Sequence, residues 1–478
     1  MLYNSIEFAI FLPIVFILYW FVINKSLKLQ NLLLLIASYV FYGWWDWRFL
    51  SLVIISSLLD YFVGYGLSLT ENERKRKLLI LTSIMVNLGL LGFFKYFNFF
   101  VDSFVDAFTF LGQPINPARL NIVLPVGISF YTFQTLSYSI DVYKRQMQPT
   151  RDFIAFLTYV TFFPQLVAGP IERAINLLPQ FYVKRTFHYE QAADGMRQIL
   201  WGLFKKIVIA DNCATIVNQV FANYSHYNGS ALFLGVFFFA FQIYADFSGY
   251  SDIAIGAARL FGFKLMRNFA FPYFSRDIAE FWRRWHISLT TWFRDYLYIP
   301  LGGSKGGNWM KIRNTFIIFL VSGFWHGANW TFLVWGFINA LYFLPLLIFK
   351  QNRKNITISA ENALLPPLKD FVQMCGTFFI TLVAWVFFRA NTLTDALLYL
   401  QRMFSSTLFS RPEVLPKMVF VFIFILISFE WLQRKKQHAL AFSASNRQWL
   451  LRWAIYGIIT FIILFFPGNQ QEFIYFQF

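Results

Sequence analysis

A histidine interrupts an otherwise apolar run late in the chain. The run covers residues 316–330 and contains His326 and Asn329 among aromatic, aliphatic and small residues. A charged side chain inside lipid costs about 2.5–3.5 kcal/mol or more, so an ionisable residue there needs a partner or a task. Imidazole can take a proton from a hydroxyl group near neutral pH, which accelerates a reaction by roughly 10²–10⁴. The position therefore fits either a hydrogen-bonded structural histidine or a general base.

A second group of chemically capable residues lies upstream, in a strongly basic segment. Residues 259–313 contain ten Lys and Arg residues but three acids, one of which is Asp295. Such a density of positive charge is typical of the cytoplasmic face of a membrane protein. The segment is also rich in Phe, Trp and Tyr, so we do not expect it to be a flexible loop.

The centre of this basic segment combines tryptophan, arginine and histidine. Helical spacing places Trp282, Trp285 and Leu289 on one side, next to His286 in sequence. The side chains of Arg283 and Arg284 then point elsewhere, towards lipid phosphates or an anionic ligand. Two functions fit this pattern: a basic amphipathic helix on the membrane surface, or a site that steers a phosphate-bearing donor.

Other residue types give no competing site. The HExxH zinc motif and the GxxxxGK[ST] phosphate-binding motif do not occur. The glycine-rich run 298–307 predicts a tight cytoplasmic turn. Cys213 and Cys375 have no CxxC spacing, so they predict neither a disulfide nor a metal site, and both are interpreted as unpaired core thiols. The other three histidines are predicted to be surface residues: His188, His226 and His438.

The elements that must position these residues are membrane helices. The chain has 478 residues, of which 58% are hydrophobic and 14% charged, whereas soluble proteins carry about 25% charged residues. Repeated apolar runs have the length of about 17–25 residues that a membrane-crossing helix needs. The net charge of +17 lies in short segments between these runs, where it sets topology and meets anionic lipid heads, so nucleic acid is not an expected partner.

The apolar runs predict an all-α polytopic membrane protein with about ten to twelve crossings. Segments 98–112 and 277–300 predict re-entrant or interfacial helices, because aromatic residues alternate there with polar ones. Basic loops follow the first and third runs, which places those loops in the cytoplasm and both termini outside. The whole chain, residues 1–478, is interpreted as a single membrane domain.

Several motifs together resemble the membrane-bound O-acyltransferase family. They are residues 125–130, 163–171, 246–252, 281–289, 292–303, 324–328 and 473–478, and the most distinctive of them lie in a signature region at about 240–340. The match is nearest to the branch that O-acetylates alginate in bacteria, and next nearest to the teichoic-acid D-alanyl transferase branch. Ser322 departs from the pattern, because many relatives have a second glycine there.

This resemblance implies an O-acetyltransferase of the bacterial inner membrane, with helices around a central channel. It implies that His326 is the catalytic histidine and that His286 is a second signature histidine nearer the cytoplasm. An activated donor such as acetyl-CoA would arrive from the cytoplasm as a substrate, with no bound cofactor. The acceptor would be an exported polysaccharide or periplasmic helper proteins. We further expect substrate contacts from the following residues: Arg283, Arg284, Trp285, Trp325, Asn329 and Asp295.

The sequence leaves several alternatives open. His326 could act as general base on an acceptor hydroxyl while His286 binds the developing oxyanion or holds the donor, or the acyl group could pass through a covalent enzyme species. Asp246 and Asp252 fit a structural cap or salt bridge better than acceptor binding. Competing functions are a transporter of glycan or lipid intermediates, which also has broken helices and buried polar groups, a D-alanyl-type transferase and a structural scaffold.

Overall fold

The computed structural model describes residues 1–112, 120–167, 169–442 and 449–476. Throughout these residues the regular secondary structure is helical and contains no strand, so the all-α prediction is confirmed. Three residues of the sequence motifs lie outside the described residues: Ala168, Gln477 and Phe478.

The chain divides into two compact units. The first comprises Met1–Ala192 with Ala257–Leu265, and the second comprises Ala193–Gly256 with Met266–Phe478. The single-domain interpretation of residues 1–478 stays a prediction.

The first unit contains the following helices: α1 (Ile6–Ile17), α2 (Leu27–Asp46), α3 (Leu50–Ser68), α4 (Glu73–Leu91), α5 (Phe97–Phe110), α6 (Ile128–Tyr143), α7 (Phe153–Thr161), α8 (Phe163–Leu166) and α9 (Ala174–Leu177).

The second unit holds all the histidines of the predicted site. It contains most of α10 (Tyr189–Leu203) and α12 (Gly229–Leu260), together with the following helices: α11 (Asp211–Ala222), α13 (Ile278–Arg284), α14 (Ile287–Phe293), α15 (Asn308–His326), α16 (Trp330–Ile348), α17 (Leu368–Arg389), α18 (Leu393–Met403), α19 (Lys417–Leu432) and α20 (Trp449–Phe465).

Among the described residues, five helical stretches are long and apolar enough to cross a membrane: Leu27–Ser68, Glu73–Phe110, Gly229–Leu260, Trp330–Ile348 and Leu368–Arg389. Three shorter apolar helices are Ile6–Val22, Phe153–Leu166 and Trp449–Phe465. The chain is therefore a multi-pass membrane protein, and the total of ten to twelve crossings stays a prediction. The segment 98–112 falls largely in α5, which continues α4 through a π-helical turn at Gly92–Tyr96.

Helices α15 and α16 form a closely packed hairpin, and His326 is the last residue of α15. The chain extends at Gly327 and turns into α16 at Asn329, whose side-chain oxygen accepts from the backbone N–H of Thr331 as an N-cap. A β-carbon added to Gly323 would lie 2.2 Å from the carbonyl oxygen of Phe332. The small residues next to the histidine therefore permit backbone contact between the two helices.

The basic segment upstream folds into two short helices, α13 and α14, separated by Trp285 and His286. Asp277 caps α13 by accepting from the N–H of Glu280 at 2.7 Å. Trp282, Trp285 and Leu289 are buried, as the helical spacing predicts, while Arg283 is exposed. The amphipathic pattern thus turns its apolar side into the core of the second unit. The glycine-rich run that follows α14 forms the predicted turn, with Gly302 and Gly303 at positive φ.

Candidate active site

The imidazole of His326 lies in an aromatic enclosure. Only 3% of the residue is exposed. Its ring centroid is 5.0 Å from that of Trp325, 5.2 Å from Trp335, 5.3 Å from Phe388 and 5.6 Å from Tyr475. These rings come from α15, α16, α17 and the 474–476 turn. The end of one helix and three other elements therefore shelter this histidine from bulk water.

His286 occupies a second, adjoining enclosure. Its ring centroid is 4.6 Å from that of Phe247 on α12 and 6.3 Å from that of Phe269. The residue is 1% exposed and has φ +43°, a left-handed backbone conformation that is strained for any residue with a β-carbon. Such strain persists only where surrounding structure enforces it, and it is frequent at functional sites.

Two aromatic rings touch both histidines and join the enclosures into one site. Trp325 lies 5.9 Å from the His286 ring and Tyr475 lies 6.4 Å from it, in addition to their contacts with His326. The structure therefore brings together two imidazoles that are 40 residues apart in sequence. Of the predicted residues, His326, His286 and Trp325 belong to this cluster.

The protonation state of His286 follows from its burial. Its Nδ1 lies 3.1 Å from the side-chain oxygen of Asn268, and its Nε2 is buried without a hydrogen-bond partner among the described residues. Burial lowers the pKa of His286 to about 3, because the charged ring would lose its hydration. The ring is therefore neutral at physiological pH.

A buried ion network fixes the segment that carries Tyr475. The Asp246 carboxylate accepts from the backbone N–H of Ile474 at 2.7 Å and pairs with Lys206 at 2.9 Å. Lys206 also donates to the carbonyl oxygen of Gln471 at 3.0 Å and pairs with Asp211 at 2.8 Å. This network anchors the segment on both sides, so Tyr475 lies in a defined position against the histidines.

The salt-bridge interpretation of the two aspartates on α12 is confirmed. In addition to the Lys206–Asp246 pair, Lys205 pairs with Asp252 at 2.5 Å. Both lysines lie in a π-helical turn, Phe204–Ala210, inserted between α10 and α11. Buried cations beside buried carboxylates neutralise each other, and loss of one partner leaves an uncompensated charge in the core. These aspartates therefore stabilise the site's framework.

The two predicted donor-binding arginines lie outside the histidine cluster. Arg284 forms an ion pair with Glu280 at 2.6 Å on the same helix. Arg283 donates to the carbonyl oxygens of Asn352 and Asn355, at 2.7 and 2.8 Å. Among the described residues Arg283 has no carboxylate within ion-pair distance, and the carboxylates of Asp277 and Glu280 act on its charge from farther away. A role in attracting an anionic donor therefore stays a prediction, and it rests mainly on Arg283.

The remaining predicted residues have structural contacts. Asp295 pairs with Arg294 at 2.6 Å. Asn329 caps α16 and also donates to the carbonyl oxygen of Asn391 at 2.9 Å. Trp285 is 1% exposed and packs its ring 5.1 Å from Phe269, which in turn contacts His286. Their substrate contacts stay predictions.

Two predictions about lesser residues are wrong. His438 is 1% exposed rather than superficial, because its Nε2 lies 3.0 Å from a carboxylate oxygen of Asp194, which gives this ring nitrogen a partner inside the protein. Cys375 is exposed on α17 rather than buried, since the apolar side of a membrane helix needs no protein cover. His188 and His226 are exposed and Cys213 is buried, as predicted.

The sequence of this chain is similar to those of known proteins. Residues 39–388 match MBOAT, the membrane-bound O-acyltransferase family. The chain belongs to that family. It is 41% identical over 405 residues to the probable alginate O-acetylase AlgI of Pseudomonas aeruginosa, across 84% of this chain and 74% of that protein. It is 34% identical over 432 residues to the peptidoglycan O-acetyltransferase of Helicobacter pylori, across 84% and 80%.

A more distant relative covers less of the chain. The teichoic acid D-alanyltransferase of Bacillus subtilis is 28% identical over 284 residues, which are 56% of this chain and 71% of that protein. Together the family match and these relatives show that this MBOAT protein is an O-acyltransferase, which requires an acyl donor and an acceptor as substrates.

Sequence reasoning missed two residues of the site, Tyr475 and Asn268. One signal bears on Tyr475. Lys205 and Lys206 stand in an apolar run, so each needs an acidic partner. The partner of Lys206 is Asp246, which also accepts from the backbone N–H of Ile474, the residue before Tyr475. Asn268 stands in a connecting segment between α12 and α13. No periodicity marks such a position, so only the folded chain shows its partners.

Proposed function

We propose that this MBOAT protein transfers an acetyl group from a cytoplasmic activated donor such as acetyl-CoA to a hydroxyl outside the inner membrane. The hydroxyl belongs to an exported cell-surface polysaccharide or to a periplasmic partner protein. The observation that supports this most strongly is the pair of imidazoles in one aromatic enclosure of a multi-pass membrane protein. A dry site strengthens hydrogen bonds and keeps water from hydrolysing an activated acyl group.

His326 is the general base in this proposal. Its imidazole takes the proton of an acceptor hydroxyl, the oxygen attacks the thioester carbonyl, and the carbon–sulfur bond breaks as the tetrahedral intermediate collapses. The same ring then returns the proton to the departing thiolate, so one ester and one free thiol leave the site. Proton transfer by a positioned imidazole accounts for about 10²–10⁴ of the rate. The rest comes from holding the two substrates together.

Tyr475 supports a second route through a covalent intermediate. Its phenol ring lies within 6.4 Å of both imidazole rings, so its hydroxyl can take the place of the acceptor in the first transfer. The tyrosine ester would then pass its acyl group to the glycan or to a partner protein. Burial raises the pKa of the Tyr475 phenol above its ordinary value, so in this route a neighbouring imidazole must take the phenol proton as the oxygen attacks and return it when the ester is cleaved.

The donor side of the proposal rests on the basic segment. Acetyl-CoA carries phosphates, and a cluster of ten Lys and Arg residues at 259–313 concentrates such an anion near the entrance. Arg283 is exposed, and within the part of the chain that the structure describes it donates to carbonyl oxygens alone. It can therefore meet a phosphate without first breaking an ion pair.

The acceptor side rests on the relatives. Two of them are named as O-acetylating enzymes, one for alginate and one for peptidoglycan, and both exceed the D-alanyltransferase in identity and coverage. Acetyl transfer to a cell-envelope polysaccharide is therefore the function that we propose, with D-alanyl transfer as its alternative. Transport of a glycan intermediate has less support, because the matching family and the relatives named above are acyltransferases.

The test is complementation of a strain that lacks its own copy of this protein. We expect His326→Ala to abolish ester-linked acetate on the surface polysaccharide while the protein still inserts into the membrane. His226→Ala is the matched control, since that histidine is exposed, and it should give wild-type acetate. Base-released acetate, quantified against the amount of membrane-inserted protein, is the measurement. Wild-type acetylation by His326→Ala would overturn the assigned role.

A further inference from the structure

Asn268 connects His286 to two serines inside the second unit. Asn268 is fully buried, and its side-chain nitrogen donates to the Ser251 hydroxyl at 3.1 Å. The hydroxyl of Ser288 donates to the side-chain oxygen of Asn268 at 2.9 Å. The same oxygen lies 3.1 Å from Nδ1 of His286. A buried amide with this many partners has one orientation.

The backbone identifies which atom of the amide faces the histidine. The N–H of Ser288 points to the same Asn268 atom at 3.4 Å, and a backbone N–H can only donate. The atom must therefore be the acceptor, the carbonyl oxygen of the side chain. An acceptor oxygen next to Nδ1 of His286 requires a proton on Nδ1. In a neutral imidazole the proton is then absent from Nε2.

Asn268 also holds the backbone of His286. The carbonyl oxygen of Asn268 accepts from the N–H of Ile287 at 2.8 Å, and the N–H of Ala270 donates to the carbonyl oxygen of Arg284 at 2.9 Å. Residues 268–270 thereby enclose the turn in which His286 has its left-handed φ of +43°. The strain of that conformation is held by the same segment that orients the ring.

We propose that Asn268 is a positioning residue that fixes His286 in the Nδ1–H tautomer, so that Nε2 accepts a hydrogen bond from an O–H or N–H group of the bound substrate. This inference rests on the proposed acyltransferase function and assigns one role to the second histidine. A ring with an unprotonated Nε2 cannot donate to an oxyanion from that atom. Stabilisation of the oxyanion then falls to another group.

The surroundings of the ring agree with this assignment. Nε2 of His286 is buried and has no partner among the described residues, so it is available to a ligand. The rings packed around it are Phe247 of α12, Phe269, Trp325 of α15 and Tyr475. Among these groups Tyr475 is the titratable one, and in the described structure no carboxylate or cation forms a hydrogen bond or ion pair with His286.

The first experiment reads the tautomer directly. Nitrogen-15 NMR of the purified full-length protein, labelled at its five histidines, distinguishes a protonated from an unprotonated ring nitrogen. His286→Gln assigns the signals. We expect wild-type His286 to show a protonated Nδ1 and an unprotonated Nε2 at neutral pH. A protonated Nε2, or a mixture of tautomers in the wild type, would overturn the proposal whether or not the protein transfers acyl groups.

The second experiment compares two replacements of Asn268. Asn268→Ala removes the acceptor, and we expect mixed tautomers and a fall in kcat of about 10- to 100-fold, the range seen when the orienting partner of a metal-bound histidine is removed, with little change in KM. Asn268→Asp keeps the acceptor for Nδ1–H of His286 and for the Ser288 hydroxyl, and it replaces the amide donor to Ser251 by a second oxygen to which the Ser251 hydroxyl can donate. We expect it to keep the tautomer at neutral pH and to raise, by about one unit or more, the pH at which the nitrogen-15 signals of His286 report a doubly protonated ring, because a carboxylate raises the pKa of imidazole.

Asn339→Ala is the matched control for this series. Asn339 is also buried, at 2% exposure, but its side chain donates to the carbonyl oxygen of Trp335 in its own helix. We expect it to keep the wild-type tautomer and titration of His286.

Should Asn268→Ala fail to fold, Asn268→Asp still decides through its pH shift. An unchanged tautomer and kcat in folded Asn268→Ala, or an unshifted titration of the His286 signals in Asn268→Asp, would contradict the proposal. Absent acyl transfer by the wild type would instead contradict the proposed function, and the NMR result would still stand alone.

Discussion

At the scale of residues, the site depends on imidazoles that are kept dry by aromatic rings. His286 and His326 are 1% and 3% exposed, and Trp325 and Tyr475 contact both. Such an enclosure strengthens hydrogen bonds to a bound acyl donor and excludes competing water. It also makes a neutral ring the resting state of His286, since burial lowers the pKa of that residue to about 3.

Replacement of Tyr475 by Phe separates the hydroxyl from the ring. The phenylalanine keeps the packing against His286 and His326 and removes the nucleophilic oxygen. The covalent route predicts that acetate on the polysaccharide falls by about 100-fold or more with no change in thermal stability, whereas direct transfer with His326 as base predicts wild-type acetate. A second sign of the covalent route is an acetylated Tyr475 peptide in the mass spectrum of wild-type protein incubated with acetyl-CoA alone. Full acetylation by Tyr475→Phe would exclude that route.

At the scale of elements, the hairpin of α15 and α16 positions His326. His326 ends α15, and contact between the two helix backbones at Gly323 sets where that end lies. Gly336 makes the reciprocal contact, because a β-carbon there would be 2.3 Å from the carbonyl oxygen of Phe319. Close backbone approach through small residues is the usual means by which membrane helices associate.

Two glycine-to-alanine variants, at Gly323 and at Gly376, test this packing. Gly323→Ala places a β-carbon 2.2 Å from the carbonyl oxygen of Phe332, so the helices must separate, and overpacking of this kind costs about 1–3 kcal/mol. We expect a lower midpoint of thermal unfolding and lower acyl transfer. Gly376→Ala on α17 is the control, because its β-carbon meets no atom within 4 Å. There the alanine should stabilise the helix by about 0.5–1 kcal/mol. Equal behaviour of the two variants would refute the packing account.

The sequence predicted the elements better than the contacts between them. Long apolar runs in the sequence coincide with α2, α3, α12, α16 and α17, because a helix that crosses a membrane needs such a run. The isolated His326 was visible for the same reason, as a polar group where none is expected. Tyr475 and Asn268 were not, since their roles depend on contacts with residues far away in sequence. His438 was misassigned because its neighbours are basic, whereas its partner Asp194 lies 244 residues away.

At the scale of the whole molecule, charge indicates the direction of transfer. The net charge is +17, and the basic residues concentrate at 259–313, 350–354 and 434–436. The positive-inside tendency predicts that these segments face the cytoplasm. Helix α15 begins in the basic segment 259–313, and helix α17 begins after the basic segment 350–354. His326 and Arg389 are the last residues of α15 and α17, so each lies at the helix end away from its basic segment. This polarity suits a donor that enters from the cytoplasm and an acceptor that arrives from outside.

Single cysteines test this orientation. In a Cys375→Ser background, which removes the exposed native thiol, we introduce Lys354→Cys or Ser410→Cys, at exposed positions before and after α17. We expect a membrane-impermeant maleimide added to intact spheroplasts to label position 410 and not position 354. Inside-out vesicles should give the reverse result. Labelling of both positions from one side would contradict the assignment of α17 as a crossing helix.

The central claim is that the imidazole of His326 is the base of acyl transfer. Its most direct measurement is the rate at which inner-membrane vesicles carrying the protein move radiolabelled acetate from acetyl-CoA to polysaccharide or protein acceptors. We predict that His326→Gln, which has a similar volume but no basic nitrogen, lowers this rate by about 100-fold or more, while His226→Gln keeps the wild-type rate. Equal rates for His326→Gln and the wild type, at equal amounts of inserted protein, would contradict the account.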